Sequence, residues 1–527
     1  MVKSMSTRPL VILGIEAGDA GFIQRWIQEG YLPTIASLIQ RGCWGRIEGP
    51  ELISTQGTWL SFFSGVSRSQ HGYYYNRQLK PGTYDLQAVT ARDAQALPFW
   101  VHLRGGSKAV AIIDALEAYP VAGVPGLQLA NWAIQQQYNT AVVPVSAEPA
   151  RLVRDIQRLV GRQIHVDVFK PNGSFREDLE AYRLLRQRIE YKGELCRYFL
   201  DRGRPALVVT TFSEAHTAAH RFWNHRFDHR HADTGDDRGE LRNAIRDVYQ
   251  AIDREMGLLI ERLPAESDIF VVSLFGMKGQ YPTHGLSEAF CRQLGYQVPS
   301  AEVSGTANAL TRVRRIMPLH WRSHISRLLP VRMQERLQNE QFRSNTDWGK
   351  TTAFPLPSLN TSFIRVNLRG REPQGIVEPG VAYARLLNRI EADLKQLVDV
   401  RTGEPAVEKV TKTAAAYRSD PPMVLPDLCI EWKSSPCVME RVRHPKVELV
   451  QNTPGYNRSS YHAFSGFLAA AGPSIRARGA IGEVALLDLA PTFLSLMGEP
   501  RPQGLTGQVM DHVVHHTDLV RDQGGSR

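Results

Sequence analysis

The sequence predicts an α/β fold in which helices sandwich a central sheet. Short apolar runs recur along the chain, and segments with helical spacing separate most of them. The first run, LVILGI (10–15), has the unbroken apolar character of a strand buried in a parallel sheet, and FIQRWIQEG (22–30) follows with a helical pattern. Alternation of this kind is typical of doubly wound sheets, which bind ligands beyond the carboxyl ends of their strands.

The later apolar runs predict the remaining strands. They are AVAIIDAL (109–116), PALVVTTFS (205–213), DIFVVSLFG (268–276), SFIRVNL (362–368), DLCIEW (427–432) and GFLAAAG (466–472). Two long helical patterns lie between such runs, at 176–203 and 240–263. We therefore predict that residues 1–284 and 356–515 form one α/β core.

Residues 285–355 interrupt this alternation and are predicted to form a helical insertion that caps the ligand edge of the sheet. The stretch contains Arg312, Arg314, Arg315, Arg322, Arg327, Arg332 and Arg336 among Leu and Ile residues. This pattern favours a solvated basic face over an entrance for an anionic substrate. The last residues, 516–527, are predicted to be a flexible tail.

Composition excludes several classes of protein. With 43% hydrophobic and 22% charged residues over 527 positions, the chain can bury a large core and is not mostly disordered. Its 5 Cys are scattered and odd in number, which excludes a disulfide scaffold and predicts reduced thiols. No signal peptide or membrane-spanning run is visible, so we expect a soluble, cytoplasmic protein without a membrane partner.

The charge balance points only weakly to a ligand. Lys and Arg number 63 against 53 Asp and Glu, a formal net charge of +10 that is spread along the chain. No basic tail or cluster predicts a nucleic-acid partner, and the excess is compatible with a small anionic substrate. The oligomeric state stays open.

Polar residues follow the predicted strands where chemistry is expected. Glu16 and Asp19 come after the first strand; Asp19 fits a helix N-cap, and Glu16 is the better candidate for a metal ligand. Thr55 and Thr58 precede an apolar helical stretch, where a hydroxyl could act as nucleophile or cap the helix.

Histidines mark two further positions. His216 and His220 directly follow the run PALVVTTFS, and their i, i+4 spacing places both imidazoles on one face of a helix. With that spacing, a metal site explains the pair at least as well as two buried structural histidines do. His462 lies just before the run GFLAAAG and carries no weight by itself.

Taken in order, these segments resemble the alkaline phosphatase superfamily, in particular its type I phosphodiesterase and nucleotide pyrophosphatase branch with its predicted phosphohydrolases and phosphomutases. The segments that carry the resemblance are VILGIEAGD, TQGTWLSFFSGVSRSQHG, SEAHTAAHRFW, VVSLFGM and HAFSGFLAAAGPSI. The resemblance covers nearly the whole chain and implies an alkaline-phosphatase-like central sheet.

Enzymes of that family hold two metal ions, usually zinc, and use a Thr or Ser as covalent nucleophile. By the resemblance, Thr55 matches the nucleophile, and His220 and His462 match two ligands of the first metal. His216 and Glu16 each stand where the family has Asp, so one potential ligand replaces another.

The second metal site is altered. Leu274 and Phe275 occupy the positions of the Asp-His pair that completes it in the family, and neither side chain can bind a metal. We therefore expect one divalent metal ion, bound by His216, His220 and His462 with Glu16 as a possible fourth ligand. The resemblance implies zinc, whereas three His and one Glu are equally compatible with Mn, Fe, Co or Ni.

Two basic residues could replace the charge of the missing metal. Lys278 follows the altered strand end and Arg458 precedes His462, so both are candidate catalytic residues, although solvation explains each equally well. Asp114, after the run AVAII, could orient a ligating histidine or cap a helix.

Three functional classes remain open. The first is a mononuclear metal-dependent enzyme that hydrolyses or transfers a phosphate, phosphonate or sulfate ester group. The second is a non-hydrolytic metalloenzyme, a lyase or oxidase, that uses the three His and one Glu. The third is an inactive binding protein, which the presence of a metal-capable His at position 216 disfavours. Fold alone does not separate the first two classes.

Overall fold

The computed structural model describes residues 8–133, 137–138, 141–167, 174–227, 241–300, 331–359, 361–435, 437–451 and 458–515. The strands are β1 (Leu10–Ile15), β2 (Cys43–Glu48), β3 (Arg77–Leu79), β4 (Leu86–Ala88), β5 (Val110–Ile113), β6 (Gly126–Ala130), β7 (Gln137–Tyr138), β8 (Ala141–Val142), β9 (Ser146–Glu148), β10 (Leu207–Phe212), β11 (Asp268–Ser273), β12 (Gly276–Gly279), β13 (Ala353–Leu356), β14 (Ser362–Val366), β15 (Val398–Asp399), β16 (Val407–Lys412), β17 (Leu428–Trp432), β18 (Arg441–His444), β19 (Val447–Val450), β20 (Ser460–Ala463), β21 (Phe467–Ala471) and β22 (Gly479–Ala485). The helices are α1 (Ala20–Gln28), α2 (Pro33–Arg41), α3 (Thr58–Ser64), α4 (Arg68–His71), α5 (Leu152–Val160), α6 (Phe175–Asp201), α7 (Glu214–Phe222), α8 (Ala244–Ile260), α9 (His284–Gln293), α10 (Val331–Ser344), α11 (Val381–Lys395), α12 (Thr413–Ala416) and α13 (Leu489–Leu496).

The central sheet has nine strands in the order β22-β2-β21-β11-β1-β10-β5-β6-β9. β1 pairs in parallel with β10 and β11, whereas β21 and β9 run antiparallel to their neighbours. Every residue of β1, β10 and β11 is buried, which explains their apolar runs LVILGI, LVV and IFVV. Helices pack with this sheet in one core, so the predicted α/β fold with a helix-flanked central sheet is confirmed.

Local sequence explains how the first helix starts. The side chain of Asp19 accepts a hydrogen bond from the backbone N–H of Phe22 at 2.9 Å and so caps α1, as predicted. α8 contacts α2, α6 and α7, while α3 contacts α13. Buried residues of these helices and of the central strands form one hydrophobic core.

Residues 353–450 fold around smaller sheets of their own. β13, β14, β17 and β16 form an antiparallel four-stranded sheet, and β15, β18 and β19 form a three-stranded one. The runs SFIRVNL and DLCIEW are strands, as predicted, but they belong to the four-stranded sheet and not to the central one. An apolar run predicts a buried strand without saying which sheet receives it. The predicted domain boundaries remain a prediction.

Parts of the predicted insertion and tail lie outside the described residues. Of 285–355, the structure describes α9 and α10, whereas 301–330, with Arg312, Arg314, Arg315, Arg322 and Arg327, is outside the described ranges, as is 516–527. None of the helices in the described ranges is long and apolar enough to span a bilayer.

Candidate active site

Three imidazoles meet at the carboxyl edge of the central sheet. α7 starts two residues after β10 and carries His216 and His220, while His462 lies on β20, which pairs with β12 immediately after β11. The ring centroids are 4.6 Å apart for His216 and His220, 5.0 Å for His216 and His462, and 5.1 Å for His220 and His462. The predicted gathering of these three residues is confirmed.

Hydrogen bonds determine which nitrogen of His220 faces the cluster. Its Nδ1 lies 3.0 Å from the carbonyl oxygen of Ser460, which can only accept, so Nδ1 carries the proton. Nε2 then presents a lone pair; it is buried and has no hydrogen-bond partner among the described residues. An orphaned buried lone pair of this kind is what a metal ligand requires.

His216 is held in the same manner by Glu16. Its Nδ1 lies 3.2 Å from Glu16 Oε1, and its Nε2 lies 2.9 Å from Nε2 of His462. β1 and β10 are neighbours, and the backbone N–H of Glu16 bonds the carbonyl of Phe212, so the two strand ends bring these side chains together. In this geometry Glu16 contacts a histidine in the way that carboxylates orient metal-bound imidazoles.

The three side chains fit one metal ion. One nitrogen of each histidine can be chosen so that all three lie within 4.8 Å of one another. Tetrahedral metal sites with metal–nitrogen distances of about 2.0–2.1 Å place their ligand atoms about 3.3 Å apart. A small movement of the rings therefore suffices for the three nitrogens to bind one ion. Borderline-soft imidazole donors suit zinc and also iron, manganese, cobalt and nickel.

The environment keeps two of the imidazoles neutral. Burial, followed by the charge of Arg458 and the neighbouring histidines, holds the pKa of His220 well below its ordinary value. Burial, His216 and Arg458 lower the pKa of His462 in the same way. Metal binding requires the neutral form. Arg458, which is almost fully buried, is thus the cation whose charge acts on both histidines.

An apolar wall stands beside the histidines. Leu274 and Phe275 are 0% and 2% exposed, and the ring centroid of Phe275 is 5.0 Å from that of His462 at an interplanar angle of 84°. Within the described part of the chain, the metal-capable cluster contains the three histidines and no carboxylate.

Thr55 lies in the turn between β2 and α3, at the same edge of the sheet. Gly57 ends this turn with φ +83, and a Cβ there would lie 2.4 Å from the carbonyl oxygen of Tyr73, so only glycine fits. Gly14 in β1 is similarly constrained, since a Cβ would lie 2.8 Å from the ring of Trp59. α3 therefore packs directly against the strand that leads to Glu16.

A buried arginine and a buried carboxylate hold this turn. Arg68 donates to the carbonyl oxygens of Ser54 and Tyr73 at 3.1 and 2.9 Å, and it is fully buried. Glu117, after β5, accepts from the backbone N–H of Gly57 at 2.8 Å and of Leu60 at 3.1 Å. Burial and, to a smaller extent, the charge of Glu16 raise the pKa of Glu117 to about 7, against the opposing effect of these amides and of Arg68.

We predict that Glu117→Gln loosens the turn. The backbone N–H of Gly57 lies 2.8 and 3.0 Å from the two carboxylate oxygens, so the NH₂ of a glutamine faces this donor in either orientation of the amide. Hydrogen exchange at Gly57 and Leu60 should accelerate about tenfold or more, as an unsatisfied buried donor costs about 1–3 kcal/mol. Glu255→Gln alters a carboxylate that is also buried but bonds Arg197, and it should leave both amides unchanged. Equal exchange rates in all three proteins would contradict the role of Glu117.

The remaining predicted residues point elsewhere. The ammonium of Lys278 lies 2.8 Å from Glu431 Oε1 and 3.1 Å from the carbonyl oxygen of Trp432, both on β17, and its catalytic role stays a prediction. Asp114 accepts from two backbone N–H groups, at Trp132 and Ala133, and no described contact joins it to a histidine.

Sequence reasoning missed Glu117 and Arg68. Glu117 lies four residues after the end of β5, so its position in a loop after a strand was the available signal. For Arg68, in the segment SRSQHG, the sequence carries no comparable signal, because its partners lie up to 17 residues away.

Comparison with known proteins gave one family match. A profile of the family described as type I phosphodiesterase / nucleotide pyrophosphatase matches residues 10–319, more than half of the chain. This range contains Glu16, Thr55, His216 and His220, whereas His462 lies beyond it. Comparison with curated proteins gave no match.

Among solved structures, the chain is similar to phosphonoacetate hydrolase from Sinorhizobium meliloti 1021, solved in complex with phosphonoformate. The two chains share 11% identity with a TM-score of 0.48, over 92% of this chain and 94% of that chain.

Proposed function

Because the chain belongs to the type I phosphodiesterase and nucleotide pyrophosphatase family of the alkaline phosphatase superfamily, we propose that it hydrolyses or transfers a phosphate, phosphonate or sulfate ester group with one divalent metal ion. The observation that carries this proposal is the three-imidazole cluster, which lies beside an apolar pair where the family has ligands for a second metal. The chain has apolar residues in place of the ligands of the family's second metal, and it has a third imidazole at the first metal site. A single bound metal ion explains both differences.

The residues around the cluster each have a role in this proposal. Glu16 fixes the ring of His216, and the carbonyl oxygen of Ser460 fixes that of His220, so both present Nε2. The metal, when bound, supplies a Lewis acid for a phosphoryl or sulfuryl oxygen and lowers the pKa of a water. Arg458 places a positive charge near the cluster, where it can stabilise an anionic oxygen of the substrate.

We assign the hydroxyl of Thr55 to a contact with the reacting group of the substrate. Its turn is held in place by Glu117 and Arg68 at the sheet edge where Glu16 ends β1. The family activates this hydroxyl with its second metal, and Leu274 and Phe275 leave that part of the site apolar. The hydroxyl of Thr55 therefore contacts the substrate without a metal of its own to activate it.

The test is hydrolysis of bis-nitrophenyl and mono-nitrophenyl phosphate by the metal-loaded enzyme. We expect Thr55→Ala to lower kcat by about 10²-fold or more, because a misplaced or missing contact to the reacting group costs this much, and Thr55→Ser to recover most of the rate. Metal content should be equal in all three proteins. An Ala variant as fast as the wild type would remove Thr55 from the mechanism.

One observation favours a second candidate. The three imidazoles, with Glu16 behind the ring of His216, are a set of nitrogen donors that also suits redox-active metals. Metal analysis separates the two candidates: zinc with turnover of the nitrophenyl esters supports the hydrolase, whereas iron or manganese without turnover supports a lyase or oxidase.

A further inference from the structure

The helix that carries His216 and His220 starts without a side-chain cap. Asp19 caps α1 and Ser174 caps α6, whereas Ser213, the residue before α7, makes no capping hydrogen bond. Its hydroxyl instead lies 3.5 Å from a carbonyl oxygen in the loop after β6. α7 has only 9 residues, a length that is marginal for an isolated helix, so contacts with the rest of the protein determine where it begins.

Buried charges surround the first residue of α7. Glu214 is fully buried, and its Oε1 accepts a hydrogen bond from Nε of Arg188 on α6 at 2.7 Å. Nζ of Lys192, one turn further along α6, lies 3.9 Å from the same oxygen and 3.5 Å from Oδ2 of Asp114, just after β5. Lys192 also donates to the carbonyl oxygen of Thr211 on β10 at 2.6 Å. Two cations and two carboxylates therefore join α6 to the start of α7 and to the ends of two central strands.

A second ion pair ties the other end of α7 to the same helix. Nε of Arg221 lies 2.8 Å from Oδ1 of Asp178, and both side chains are mostly buried. Asp178 lies near the start of α6 and Arg188 near its middle, so the two ends of α7 are held at separate points of α6. His216 and His220 lie between these two points of attachment.

Stability alone is a poor explanation for the ion pair at the start of α7. Removing two charges from water costs about as much free energy as their attraction returns, and apolar residues of similar volume often stabilise a protein equally well. Oε2 of Glu214 is also buried and has no hydrogen-bond partner among the described residues, which adds to the cost. What the pair does provide is one defined position for the first turn of α7.

We infer that Arg188 and Glu214 are positioning residues of the metal site: their ion pair fixes the start of α7 and so holds the imidazoles of His216 and His220 where one ion can contact both. The inference rests on the proposed function and assigns the support of its metal site to α6. If α7 occupies the competent position for only a fraction of the time, the apparent affinity for the metal falls by that fraction.

The test is the affinity of the protein for Zn²⁺, measured by competition with a chelator, together with the absorption spectrum of the Co²⁺-loaded protein. Arg188→Met/Glu214→Leu replaces the pair by apolar residues of similar volume, so its unfolding in urea without metal should match that of the wild type. Its affinity for Zn²⁺ should fall by about tenfold or more, the loss typical of changes behind metal ligands. Its Co²⁺ absorption bands should shift or weaken.

Arg197→Met/Glu255→Leu is the matched control. This pair also starts on α6, with Nη1 of Arg197 2.7 Å from Oε2 of Glu255, but it leads to α8 and not to α7. The control should keep the wild-type affinity and absorption. Arg188→Lys, which keeps the cation beside Glu214, should recover most of the affinity that the apolar pair loses.

Glu214→Gln serves as a second variant if the apolar pair does not fold, because it keeps the shape of the side chain and removes its charge; its affinity for Zn²⁺ should fall as well. Wild-type affinity and absorption in either folded variant would overturn the inference, as would an equal loss in the control or a wild type that binds neither ion. Failure of the proposed function is read separately, as the absence of ester hydrolysis by a wild type that binds the metal.

Discussion

His220→Ala is expected to abolish metal binding and, with it, ester hydrolysis. The imidazole of His220 is 6% exposed, and its Nε2 has no other partner among the described residues, so its removal takes away one of three ligands with nothing nearby to replace it. Metal content should fall from about one per chain to below about a tenth, since two imidazoles do not make a closed site.

His225→Ala is the matched control for this substitution. His225 lies just beyond α7, and its Nε2 contacts Asp178 at 3.0 Å, away from the cluster. The control should retain full metal content and full activity. Circular dichroism and thermal melting of both variants separate loss of the ligand from loss of the fold. A folded His220→Ala protein with a full equivalent of metal would refute the assignment of the three histidines.

Arg68→Ala is expected to produce the largest loss of stability of any single change near the site. Its guanidinium is fully buried, and its Nε lies 3.9 Å from Glu51 Oε2, on a carboxylate that is 1% exposed. The substitution leaves a buried carboxylate without its cation and several carbonyl oxygens without a donor. Breaking a buried pair in this way lowers the free energy of unfolding by about 3–5 kcal/mol.

Urea denaturation measures this effect directly. Arg158→Ala serves as control, because the side chain of Arg158 is 79% exposed and its ion pair with Asp155 is solvated; its cost should not exceed about 0.5 kcal/mol. A loss of less than about 1 kcal/mol for Arg68→Ala would contradict the structural role that we assign to it.

The sequence predicted candidate ligands best where they lie together in one secondary-structure element. His216 and His220 share one helix directly after a strand, so spacing alone indicated a metal-capable pair. His462 stands 242 residues beyond His220 along the chain and became a candidate only through the family resemblance, because antiparallel pairing of β20 with β12 brings it to the cluster. Long-range pairing of this kind leaves no local pattern to read.

Two features depended on tertiary contacts that no local pattern encodes. Glu117 acts on a turn 60 residues earlier in the chain, and its function follows from burial against two backbone amides. β14 and β17 were predicted as strands from their apolar residues, yet their position in a separate antiparallel sheet follows from pairing partners. Glu16 was predicted as a metal ligand; the structure places it against Nδ1 of His216, and whether it also binds the metal stays a prediction.

The most direct test of the account is the metal content of the wild-type protein, measured by elemental analysis of protein grown with added zinc, manganese, iron, cobalt and nickel. A site of three imidazoles beside Leu274 and Phe275 predicts about one equivalent of a divalent metal per chain. Two equivalents would show that a second site exists despite the apolar pair, and no metal at all would show that the histidine cluster is not a metal centre.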